Sequence, residues 1–457
     1  MAFAASLADV YQALESQFPG EVARAGQHEW VSGVTTDTRA MEPGNLFVAL
    51  RGDRFDGHQF LAQAARQGAI AAVVNADCQG VDAALPLIRV TDTLAAYQAI
   101  ATWWRHHLAT PLVAITGSVG KTTTKEIVAA ALTTQGSVHK TQANYNNEIG
   151  VPKTLLELNA THHYGVIEMG MRATGEIATL ARITDPNVAV ITNVGTAHIG
   201  RLGSEQAIAN AKCELLAELR ADGIAVLNAD NARLMATART VWAGKQICFG
   251  LEAGDLQGTL LDDKTLLVDG VALPLPLPGR HNAYNLLAAI AVMQAFELDW
   301  QRLKAGLTVN MPPGRSRQIS LPNDILLLDE TYNAGVESMT AALNLLKTIP
   351  GTRRIAVLGT MKELGEQSIP LHRQVGETAR ALKLDQMLIL ADPEEAAALA
   401  EGAAPLPSEQ FTDAESLIAR LVTLVEPGDR ILFKASRAVA LDRVVNNLAE
   451  QIEDRAQ

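Results

Sequence analysis

A short glycine-containing segment constrains the fold of this chain more than any other feature. Residues Thr116–Thr123 read TGSVGKTT; they follow the apolar, β-branched run Leu112–Thr116 and open a stretch with helical periodicity. A strand that turns into a helix through such a segment is the setting of a phosphate-binding loop, where backbone N–H groups and the helix N-terminus face an anion. The segment therefore predicts a parallel α/β sheet that binds a nucleotide at the carboxyl ends of its strands.

The phosphate-binding loop (P-loop) assigns roles to its own residues. Gly117 and Gly120 allow the tight turn, Lys121 neutralises the β- and γ-phosphates of ATP, and the Thr122 hydroxyl binds Mg²⁺. Ile115 stands where the full pattern has its first glycine, so the match is a shortened one. The alternative is an ordinary strand-to-helix turn with a solvent-exposed lysine. The loop residues expected to contact ATP are Gly117, Ser118, Val119, Gly120, Lys121, Thr122 and Thr123.

The rest of the chain alternates short apolar runs with helical stretches, which is typical of parallel sheets with helical crossovers. Proline-rich breaks fall at Leu273–Gly279 and Met311–Gly314. At about 150 residues per domain, the 457 residues predict three α/β domains, 1–87, 88–314 and 315–457, the last of them doubly wound. A helix is predicted over 60–67, and strands are predicted over 45–50, 69–74, 112–116, 165–169, 188–192, 325–328, 354–358, 386–390 and 430–433.

Composition and charge exclude several classes of protein. The net charge of −12 argues against nonspecific nucleic-acid binding, which needs a basic surface. No apolar run approaches the length of a membrane span, and the first 20 residues predict an amphipathic helix instead of a signal peptide. The three cysteines match no zinc or CxxC spacing. We therefore expect a cytoplasmic protein that binds no nucleic acid and does not insert into a membrane. A monomer is also expected, although no feature of the composition determines the oligomeric state.

Three polar side chains lie at or after the ends of predicted strands, where ligands of a parallel sheet bind. Glu168 ends one strand, Asn193 follows the next, and His198 comes shortly after it. Glu168 fits the carboxylate that nucleotide-bound Mg²⁺ needs, although a lone acid at a strand end is often only solvated or caps a helix. His198 fits either a metal ligand or a structural hydrogen-bonding residue. By pattern alone, Lys212 on a predicted amphipathic helix is a solvent-facing lysine.

Nine segments carry a more specific pattern. They are Thr116–Thr123, Asn146–Pro152, Glu168–Met171, Asn193–His198, Ala211–Lys212, Gly279–Asn285, Pro313–Arg315, Asp329–Ala334 and Lys434–Arg437. In this order they resemble the Mur ligase family, ATP-dependent enzymes that form amide bonds in peptidoglycan synthesis, over nearly the whole chain. The resemblance implies a small α/β domain for a uridine nucleotide, a central P-loop ATPase-like domain, and a C-terminal Rossmann-like domain that closes over ATP.

Further stretches narrow the resemblance within the family. They are Thr36–Arg39, Gly44–Leu50, Gly52–His58, Asp329–Met339 and Leu358–Glu366. They are similar to segments of the ligases that join D-alanyl-D-alanine to UDP-N-acetylmuramoyl-tripeptide, which implies these two small molecules as substrates beside ATP. The Asp-Asn-Pro-Arg motif of the diaminopimelate- or lysine-adding ligases is absent.

The resemblance also implies roles for individual residues. Lys121, Glu168, His198 and Lys212 are expected to be catalytic, and the last three hold magnesium together with Thr122, with Lys212 carbamylated by CO₂. Beyond the loop, the residues expected to contact ATP are Asn282, Asn285, Arg315, Asp329, Tyr332 and Asn333. Those expected to contact the nucleotide-linked substrate are Thr36, Asp37, Thr38, Arg39, Phe47, Asp56, Gly57, His58, Asn144 and Asn147. Those expected near the dipeptide are Lys434, Ser436 and Arg437.

Two segments depart from the family pattern, and two other functions stay open. Met171–Glu176 replaces an Asn-His-Pro-Gly-Glu-like run, and Gly335–Val336 replaces Asn-Pro; both flank substrate contacts. One alternative is a folate-polyglutamating ligase, against which the N-terminal uridine-domain segments argue. The other is a nucleotide-dependent switch without ligase chemistry, which needs neither a second doubly wound domain nor a peptide acceptor.

Overall fold

The N-terminal part of the chain forms a small four-stranded sheet. The computed structural model describes residues 3–18, 29–52, 55–78 and 85–456. The elements of this part are β1 (Ala5–Ser6), α1 (Leu7–Gln17), β2 (Trp30–Val31), β3 (Gly33–Thr35), β4 (Asn45–Val48), β5 (Arg51–Gly52), β6 (Phe55–Asp56), α2 (Leu61–Arg66), β7 (Ala71–Asn75) and β8 (Leu87–Val90), with 3₁₀ turns at Thr38–Ala40 and Gly57–Phe60.

This first sheet has the order β3-β4-β7-β8 and is parallel throughout. The strands predicted over 45–50 and 69–74 and the helix predicted over 60–67 are confirmed as β4, β7 and α2, with ends shifted by one or two residues. The helix predicted within the first 20 residues is α1, which begins at a capping box between Ser6 and Asp9.

The central part contains the largest sheet and eight helices in the described ranges. Its elements are α3 (Thr93–His107), β9 (Leu112–Thr116), α4 (Lys121–Thr133), β10 (Val138–Lys140), α5 (Gly150–Leu156), β11 (Tyr164–Glu168), α6 (Glu176–Thr184), β12 (Val188–Ile191), α7 (Ile199–Leu202), α8 (Glu205–Ala217), β13 (Ile224–Asn228), α9 (Ala232–Val241), β14 (Gln246–Gly250), β15 (Leu256–Leu260), β16 (Thr265–Val268), β17 (Val271–Pro274) and α10 (Arg280–Ala295), followed by a 3₁₀ turn at Trp300–Ala305.

The nine strands of the central sheet have the order β10-β11-β9-β12-β13-β14-β15-β16-β17. They are parallel from β10 to β15 and antiparallel from there to the edge. The strands predicted over 112–116, 165–169 and 188–192 are confirmed as β9, β11 and β12. The predicted break at Leu273–Gly279 is wrong at its start, because β17 continues through Pro274. That strand lies at the edge of the sheet, where a residue without an N–H donor is tolerated.

The C-terminal part forms a second large α/β unit. Its elements are β18 (Arg317–Leu321), β19 (Ile325–Asp329), α11 (Val336–Thr348), β20 (Arg354–Gly359), α12 (Ser368–Ala381), β21 (Gln386–Leu390), α13 (Pro393–Ala403), β22 (Ser408–Phe411), α14 (Ala414–Leu424), β23 (Arg430–Lys434) and α15 (Leu441–Ala456), with 3₁₀ turns at Gly365–Gln367 and Arg437–Val439.

The C-terminal sheet is doubly wound, as predicted. Its strand order is β18-β19-β23-β20-β21-β22, and all pairs except β18–β19 are parallel. Helices α11, α12 and α13 pack on one face, and α14 and α15 pack on the other. The four strands predicted here from apolar runs are confirmed as β19, β20, β21 and β23. Three α/β units with parallel sheets confirm the predicted fold class.

The central and C-terminal units touch beside the carboxyl ends of their strands. The Gly200 N–H of α7 donates to the Glu363 carbonyl at 3.0 Å. A Cβ added to Gly200 would lie 2.5 Å from the backbone nitrogen of Gly365, and Ile199 packs into the C-terminal core. The two units therefore meet backbone to backbone at this point. Across the described ranges, no helix combines the length and apolar character needed to cross a bilayer.

Candidate active site

A cavity of about 440 Å³ lies between the carboxyl ends of the central and C-terminal sheets. On the central side it is lined by the P-loop and by residues that follow β12 and β13. On the other side it is lined by residues that follow β19 and by the end of β23. Its volume is in the range of small-molecule sites, and its place matches the rule for ligands of parallel sheets.

The two glycines of the P-loop are required for different reasons. Gly120 has φ 80° at the N-cap of α4, a left-handed conformation that glycine adopts without strain. A Cβ added to Gly117 would lie 1.9 Å from the Thr192 hydroxyl, so no side chain fits there. The shortened glycine pattern therefore still gives a strand–loop–helix turn that faces the cavity.

Asn193, at the carboxyl end of β12, holds the P-loop in shape. Its Oδ1 accepts a hydrogen bond from the Val119 N–H at 3.0 Å, and its Nδ2 donates to the Val119 carbonyl at 3.1 Å. Its carbonyl also accepts from the Ser118 N–H at 3.1 Å. The Ser118 hydroxyl in turn accepts from the Gly195 N–H at 2.9 Å. This strand end therefore fixes the conformation of the loop.

Replacing Asn193 with alanine should weaken ATP binding. The substitution removes both side-chain hydrogen bonds to Val119, worth about 1 kcal/mol each, so we expect the Kd for ATP to rise by up to about 30-fold. Isothermal titration calorimetry measures this directly. Asn159→Ala, which removes turn-capping contacts from the Thr161 N–H and hydroxyl, is the matched control. An unchanged Kd in Asn193→Ala would mean that the loop keeps its conformation without the two hydrogen bonds from Asn193.

Lys121 reaches from the first turn of α4 into the cavity. Its Nζ donates to the Gly117 carbonyl at 2.8 Å and lies 3.5 Å from the Ser118 carbonyl. Burial lowers the pKa of Lys121, and the nearby Glu168 carboxylate acts in the opposite direction. The ammonium group is thus held on the loop backbone, in the position from which it can reach a phosphate.

Glu168 is buried at the carboxyl end of β11 with one oxygen uncommitted. Its Oε1 accepts a hydrogen bond from Asn146 Nδ2 at 2.8 Å. Its Oε2 lies 3.9 Å from Lys125 Nζ and has no hydrogen-bond partner. A buried carboxylate oxygen without a partner is costly. Glu168 is therefore neither solvated nor a helix cap, and it offers a free oxygen to a ligand.

The surroundings of His198 and Lys212 lower the pKa of both side chains. His198 has a left-handed backbone with φ 67°, and its Nδ1 lies 2.5 Å from Glu363 Oε2 of the C-terminal unit. Burial, followed by the charge of Lys121, lowers the pKa of His198. Lys212 is buried on α8, so the interpretation as a solvent-facing lysine is wrong. Burial lowers the pKa of Lys212 well below its usual value, and the charge of Lys121 adds to this.

The four residues expected to hold magnesium lie around Lys121 without forming a ready-made cluster. The charge of Lys121 acts on the pKa of both His198 and Lys212, and Glu168 acts on that of Lys121. Within the part of the chain described, no three acidic, histidine or cysteine side chains converge on one point. Glu168 with its uncommitted oxygen and the buried Thr122 hydroxyl nevertheless fit the oxygen donors that Mg²⁺ prefers.

Four of the other residues expected to contact ATP line the cavity. The guanidinium carbon of Arg315 lies 4.0 Å from the centroid of the Tyr332 ring, a cation–π arrangement. The Arg315 Nε is buried without a partner. Asn285 accepts from the Thr124 hydroxyl at 2.9 Å and so links α10 to α4. Asn333 lines the cavity beside Tyr332.

Asn282 and Asp329 lie behind the cavity wall, and structural hydrogen bonds occupy their side chains. Asn282 Nδ2 donates to the Pro278 carbonyl at 2.8 Å, and its Oδ1 accepts from Asn285 Nδ2 at 3.0 Å. Asp329 Oδ1 accepts from the Thr331 hydroxyl at 2.6 Å and from its N–H at 3.1 Å. Both residues shape the wall, and neither is among the side chains that line the cavity.

The three residues expected near the dipeptide are separated in the structure. Lys434 lines the cavity, donates to a backbone carbonyl at 3.0 Å, and has a pKa lowered by burial. The buried Ser436 hydroxyl accepts from the Lys362 N–H at 2.9 Å. Arg437 is exposed and pairs with Asp442 at 3.0 Å. Of the three, only Lys434 faces the cavity.

Four residues expected to contact the nucleotide-linked substrate are instead committed to the N-terminal fold. Phe47 is 1% exposed in the core. His58 uses both ring nitrogens: Nδ1 lies 2.6 Å from Asp56 Oδ1, and Nε2 accepts from the Asn75 N–H at 3.0 Å. Asp56 also caps the following turn, and a Cβ on Gly57 would lie 2.8 Å from a backbone carbonyl. The prediction of ligand contacts by these side chains is not supported by their placement, because packing and turn geometry already occupy them.

The other six expected substrate contacts belong to two turns, one in the N-terminal unit and one before α5. Asp37 Oδ1 accepts from the Arg39 N–H at 2.9 Å, and Asn147 Oδ1 accepts from the Gly150 N–H at 2.9 Å, so each caps its own turn. The hydrogen bond from Arg39 lowers the pKa of Asp37, and the positive charge of Lys153 on α5 lowers this pKa further. Asp53 and Arg54 of the same N-terminal pattern lie outside the described residues. The six are Thr36, Asp37, Thr38, Arg39, Asn144 and Asn147.

Sequence reasoning missed three acidic residues of the site. Asp230 lines the cavity and accepts from the Tyr284 hydroxyl at 2.7 Å. Glu337 accepts from the Thr196 N–H at 2.6 Å, and Glu363 contacts His198, both across the domain boundary. Asp230 follows β13 and could have been found by the strand-end rule. The two glutamates lie in the family-like segments Asp329–Met339 and Leu358–Glu366, but these segments gave neither residue a role, because their partners are in a different domain.

A P-loop that faces a second α/β unit across a nucleotide-sized cavity defines the class of ATP-dependent enzymes whose site is completed by another domain. Three family patterns match this chain: "Mur ligase family, catalytic domain" over residues 31–103, "Mur ligase middle domain" over 115–293, and "Mur ligase, glutamate ligase domain" over 314–437. The chain belongs to the Mur ligase family.

Relatives and solved structures agree with this membership. The chain is 52% identical over 443 residues to the UDP-N-acetylmuramoyl-tripeptide–D-alanyl-D-alanine ligase of Synechocystis, with 97% of each chain covered. It is 40% identical to the protein of that name from Escherichia coli, covering 92% of this chain and 94% of the relative. The crystal structure of MurF from Acinetobacter baumannii superposes with a TM-score of 0.87 at 31% identity, covering 96% and 98%. MurF ligase from Thermotoga maritima in complex with ADP gives 0.81 at 30% identity, covering 93% and 98%.

Proposed function

We propose that this chain is the ATP-dependent ligase that joins D-alanyl-D-alanine to UDP-N-acetylmuramoyl-tripeptide. The products are UDP-N-acetylmuramoyl-pentapeptide, ADP and phosphate. The observation that carries the proposal is the P-loop cavity enclosed by the C-terminal unit, in a chain that matches ligases of this name over 97% of its length.

The chemistry must activate a carboxylate, which is a poor electrophile. An oxygen of the tripeptide carboxylate attacks the γ-phosphorus of ATP, ADP leaves, and an acyl phosphate forms. The free amine of D-alanyl-D-alanine then attacks the acyl carbon, and phosphate leaves as the amide bond forms and the amine loses a proton. Negative charge collects on the transferring oxygens in the first step, so fixed positive charge at the P-loop supplies the stabilisation.

We propose that Lys121 provides this positive charge, and that Arg315 and Lys434 are further cations on the cavity wall. Thr122 and Glu168 are the residues that would hold Mg²⁺, since the Glu168 Oε2 is buried and uncommitted. His198 and a carbamylated Lys212 would hold a second ion. Lys212 suits carbamylation because a lysine with a strongly lowered pKa presents the neutral amine that reacts with CO₂. Bound magnesium neutralises phosphate charge and aligns the oxygens.

The three units divide the substrates among them. We assign residues 1–87 to the uridine nucleotide, 88–314 to ATP, and 315–457 to the dipeptide and to closure. Helix α5, which follows the turn at Asn144–Asn147, contacts β3, which precedes the turn at Thr36–Arg39, so the first two units meet where a substrate could span both. Contact of the third unit with the P-loop side excludes water, which would otherwise hydrolyse the acyl phosphate.

We also propose that the protein works as a monomer in the cytoplasm. Side chains of a single chain enclose the ATP cavity, so no second copy is needed to complete it. The cysteines Cys78, Cys213 and Cys248 are buried and unpaired, which suits a reducing compartment. Sedimentation velocity with and without substrates tests the monomer: a substrate-dependent dimer would overturn it.

Phosphate release from ATP tests the proposed activity. The purified protein is given UDP-N-acetylmuramoyl-tripeptide and Mg²⁺·ATP, and D-alanyl-D-alanine is added or omitted. We expect release only when both peptide substrates are present, with a UDP-N-acetylmuramoyl-pentapeptide identified by mass spectrometry.

The alternatives predict different results in the same assay. Release that requires the tripeptide but accepts other amino acids in place of the dipeptide would refute the acceptor assignment. Release that ignores both peptide substrates would favour a nucleotide-dependent switch. Release supported by a folate and glutamate, with no response to the UDP-linked peptide, would favour a folate-polyglutamating ligase.

A further inference from the structure

Four side chains of alternating charge lie in a row beneath the P-loop. Lys140 pairs with Glu126, Glu126 Oε1 lies 3.0 Å from Lys125 Nζ, and Lys125 Nζ lies 3.9 Å from Glu168 Oε2. Lys125 and Glu126 are on α4, the helix that the P-loop opens. Their side chains are 1% and 5% exposed, and that of Glu168 is 3% exposed. The proposed function uses Glu168 and leaves the other three without a role.

A buried ammonium group is strongly destabilising unless nearby partners compensate it. Lys125 Nζ donates to the Thr141 carbonyl at 2.8 Å and pairs with Glu126, so two bonds fix its position. The distance of 3.9 Å to Glu168 Oε2 is too long for a hydrogen bond but short enough for electrostatic attraction. Lys125 therefore acts on Glu168 by charge, without a bond.

The other carboxylate oxygen of Glu168, Oε1, is fixed by a hydrogen bond. Asn146 Nδ2 donates to Oε1 at 2.8 Å and fixes the plane of the carboxylate. The Glu168 N–H donates to the Thr141 hydroxyl at 3.0 Å, so Thr141 anchors both Lys125 and the Glu168 backbone. Oε2 is the one carboxylate oxygen left without a hydrogen bond.

We propose that Lys125 is a positioning residue for the metal site: it balances the charge of Glu168 and holds it in place while leaving Oε2 open for a divalent cation. The inference rests on the proposed Mg²⁺ site at Glu168. The competing explanation is an ordinary buried ion pair that only ties α4 to the end of β10. The two explanations differ in what the removal of Lys125 does to Mg²⁺ binding.

The test compares Lys125→Gln with Lys140→Met. The glutamine keeps a donor for the Thr141 carbonyl but removes the charge that acts on Glu168. The Lys140 variant removes a charge from the far end of the row, where the side chain is partly exposed and does not contact Glu168. Each variant removes one of the two lysines that pair with Glu126. If Lys125 has a purely structural role, the two variants should therefore need similar Mg²⁺ concentrations.

The readout is the rise in melting temperature of the full-length protein with ADP as Mg²⁺ is titrated, against ADP with EDTA. We expect Lys125→Gln to need about 10–100-fold more Mg²⁺ for the half-maximal rise, the usual loss when a residue that orients a metal ligand is removed. We expect Lys140→Met to match the wild type. An unchanged or lowered Mg²⁺ requirement in Lys125→Gln would overturn the proposal.

A second variant keeps the test decisive if Lys125→Gln does not fold. Glu126→Gln removes the carboxylate that restrains Lys125 and lets its ammonium move onto Glu168 Oε2. We expect this variant also to need more Mg²⁺, and a wild-type Mg²⁺ requirement would count against the proposal. If the wild type itself shows no Mg²⁺-dependent rise, the proposed metal site fails, independently of any role of Lys125.

Discussion

Replacing Lys121 with alanine should lower kcat for ATP-dependent ligation by about 10²–10³-fold, the usual loss when one preorganised charge-stabilising group is removed. Its Nζ is held on the P-loop by the Gly117 carbonyl at 2.8 Å, on the wall of the cavity. The charge on the transferring phosphate grows in the transition state, so the loss should fall mainly on kcat. Lys121→Arg should recover little, because the larger planar group does not fit the same loop.

Two measurements separate this effect from damage to the fold. The melting temperature of Lys121→Ala should stay close to that of the wild type, since its ammonium bonds only to loop carbonyls. Lys264→Ala, in an exposed turn on the central sheet, is the control and should keep full activity. A Lys121→Ala enzyme with more than a tenth of wild-type kcat would remove this lysine from the proposed mechanism.

Replacing Lys212 with methionine should abolish most of the activity and leave the fold intact. The side chain is 1% exposed, and methionine fills similar volume without a group that burial destabilises. Without an amine no carbamate forms and a metal ligand is lost, so we expect kcat to fall by about 10²–10³-fold. Lys245→Met, on the exposed loop before β14, should be active.

Carbon dioxide provides an independent test of the same residue. Depleting CO₂ and bicarbonate should slow the wild-type enzyme reversibly, and added bicarbonate should restore the rate. Lys212→Met should respond to neither treatment. If the wild type keeps its full rate in rigorously degassed buffer, the carbamate is ruled out and Lys212 acts as a plain amine.

Most of the sheet architecture follows from local sequence, for an identifiable reason. β9 and β12 are covered on both faces and so read as unbroken apolar runs, which a strand pattern detects. β16 and β17 are covered on one face only, alternate in burial, and end at Pro274. A short edge hairpin of this kind resembles a loop in sequence, because neither its length nor its composition separates the two.

The site could be predicted only in part. Glu168 and Asn193 were found because a strand end in a parallel sheet is a known place for ligands. The same rule did not reveal that the Asn193 side chain hydrogen-bonds to the Val119 backbone of the P-loop. The roles of Glu337 and Glu363 could not be predicted, although both lie in family-like segments, since their partners lie in another unit and depend on how the units dock. Phe47 and His58 were expected at the ligand, but Phe47 packs in the core and His58 bonds to Asp56 and the Asn75 N–H, because a family pattern marks structural residues as well as contacts.

The backbone contact between Gly200 and Gly365 limits how closely the central and C-terminal units can approach each other. Where side chains form the contact between two domains, changes of rotamer allow the domains to pack at several different separations. Here main chain meets main chain, with no room for a single added carbon. The contact therefore sets a lower limit on the separation of the two units at this point, because neither glycine has a side chain that could rotate away, while Ile199 and the His198–Glu363 pair beside it pack across the same boundary.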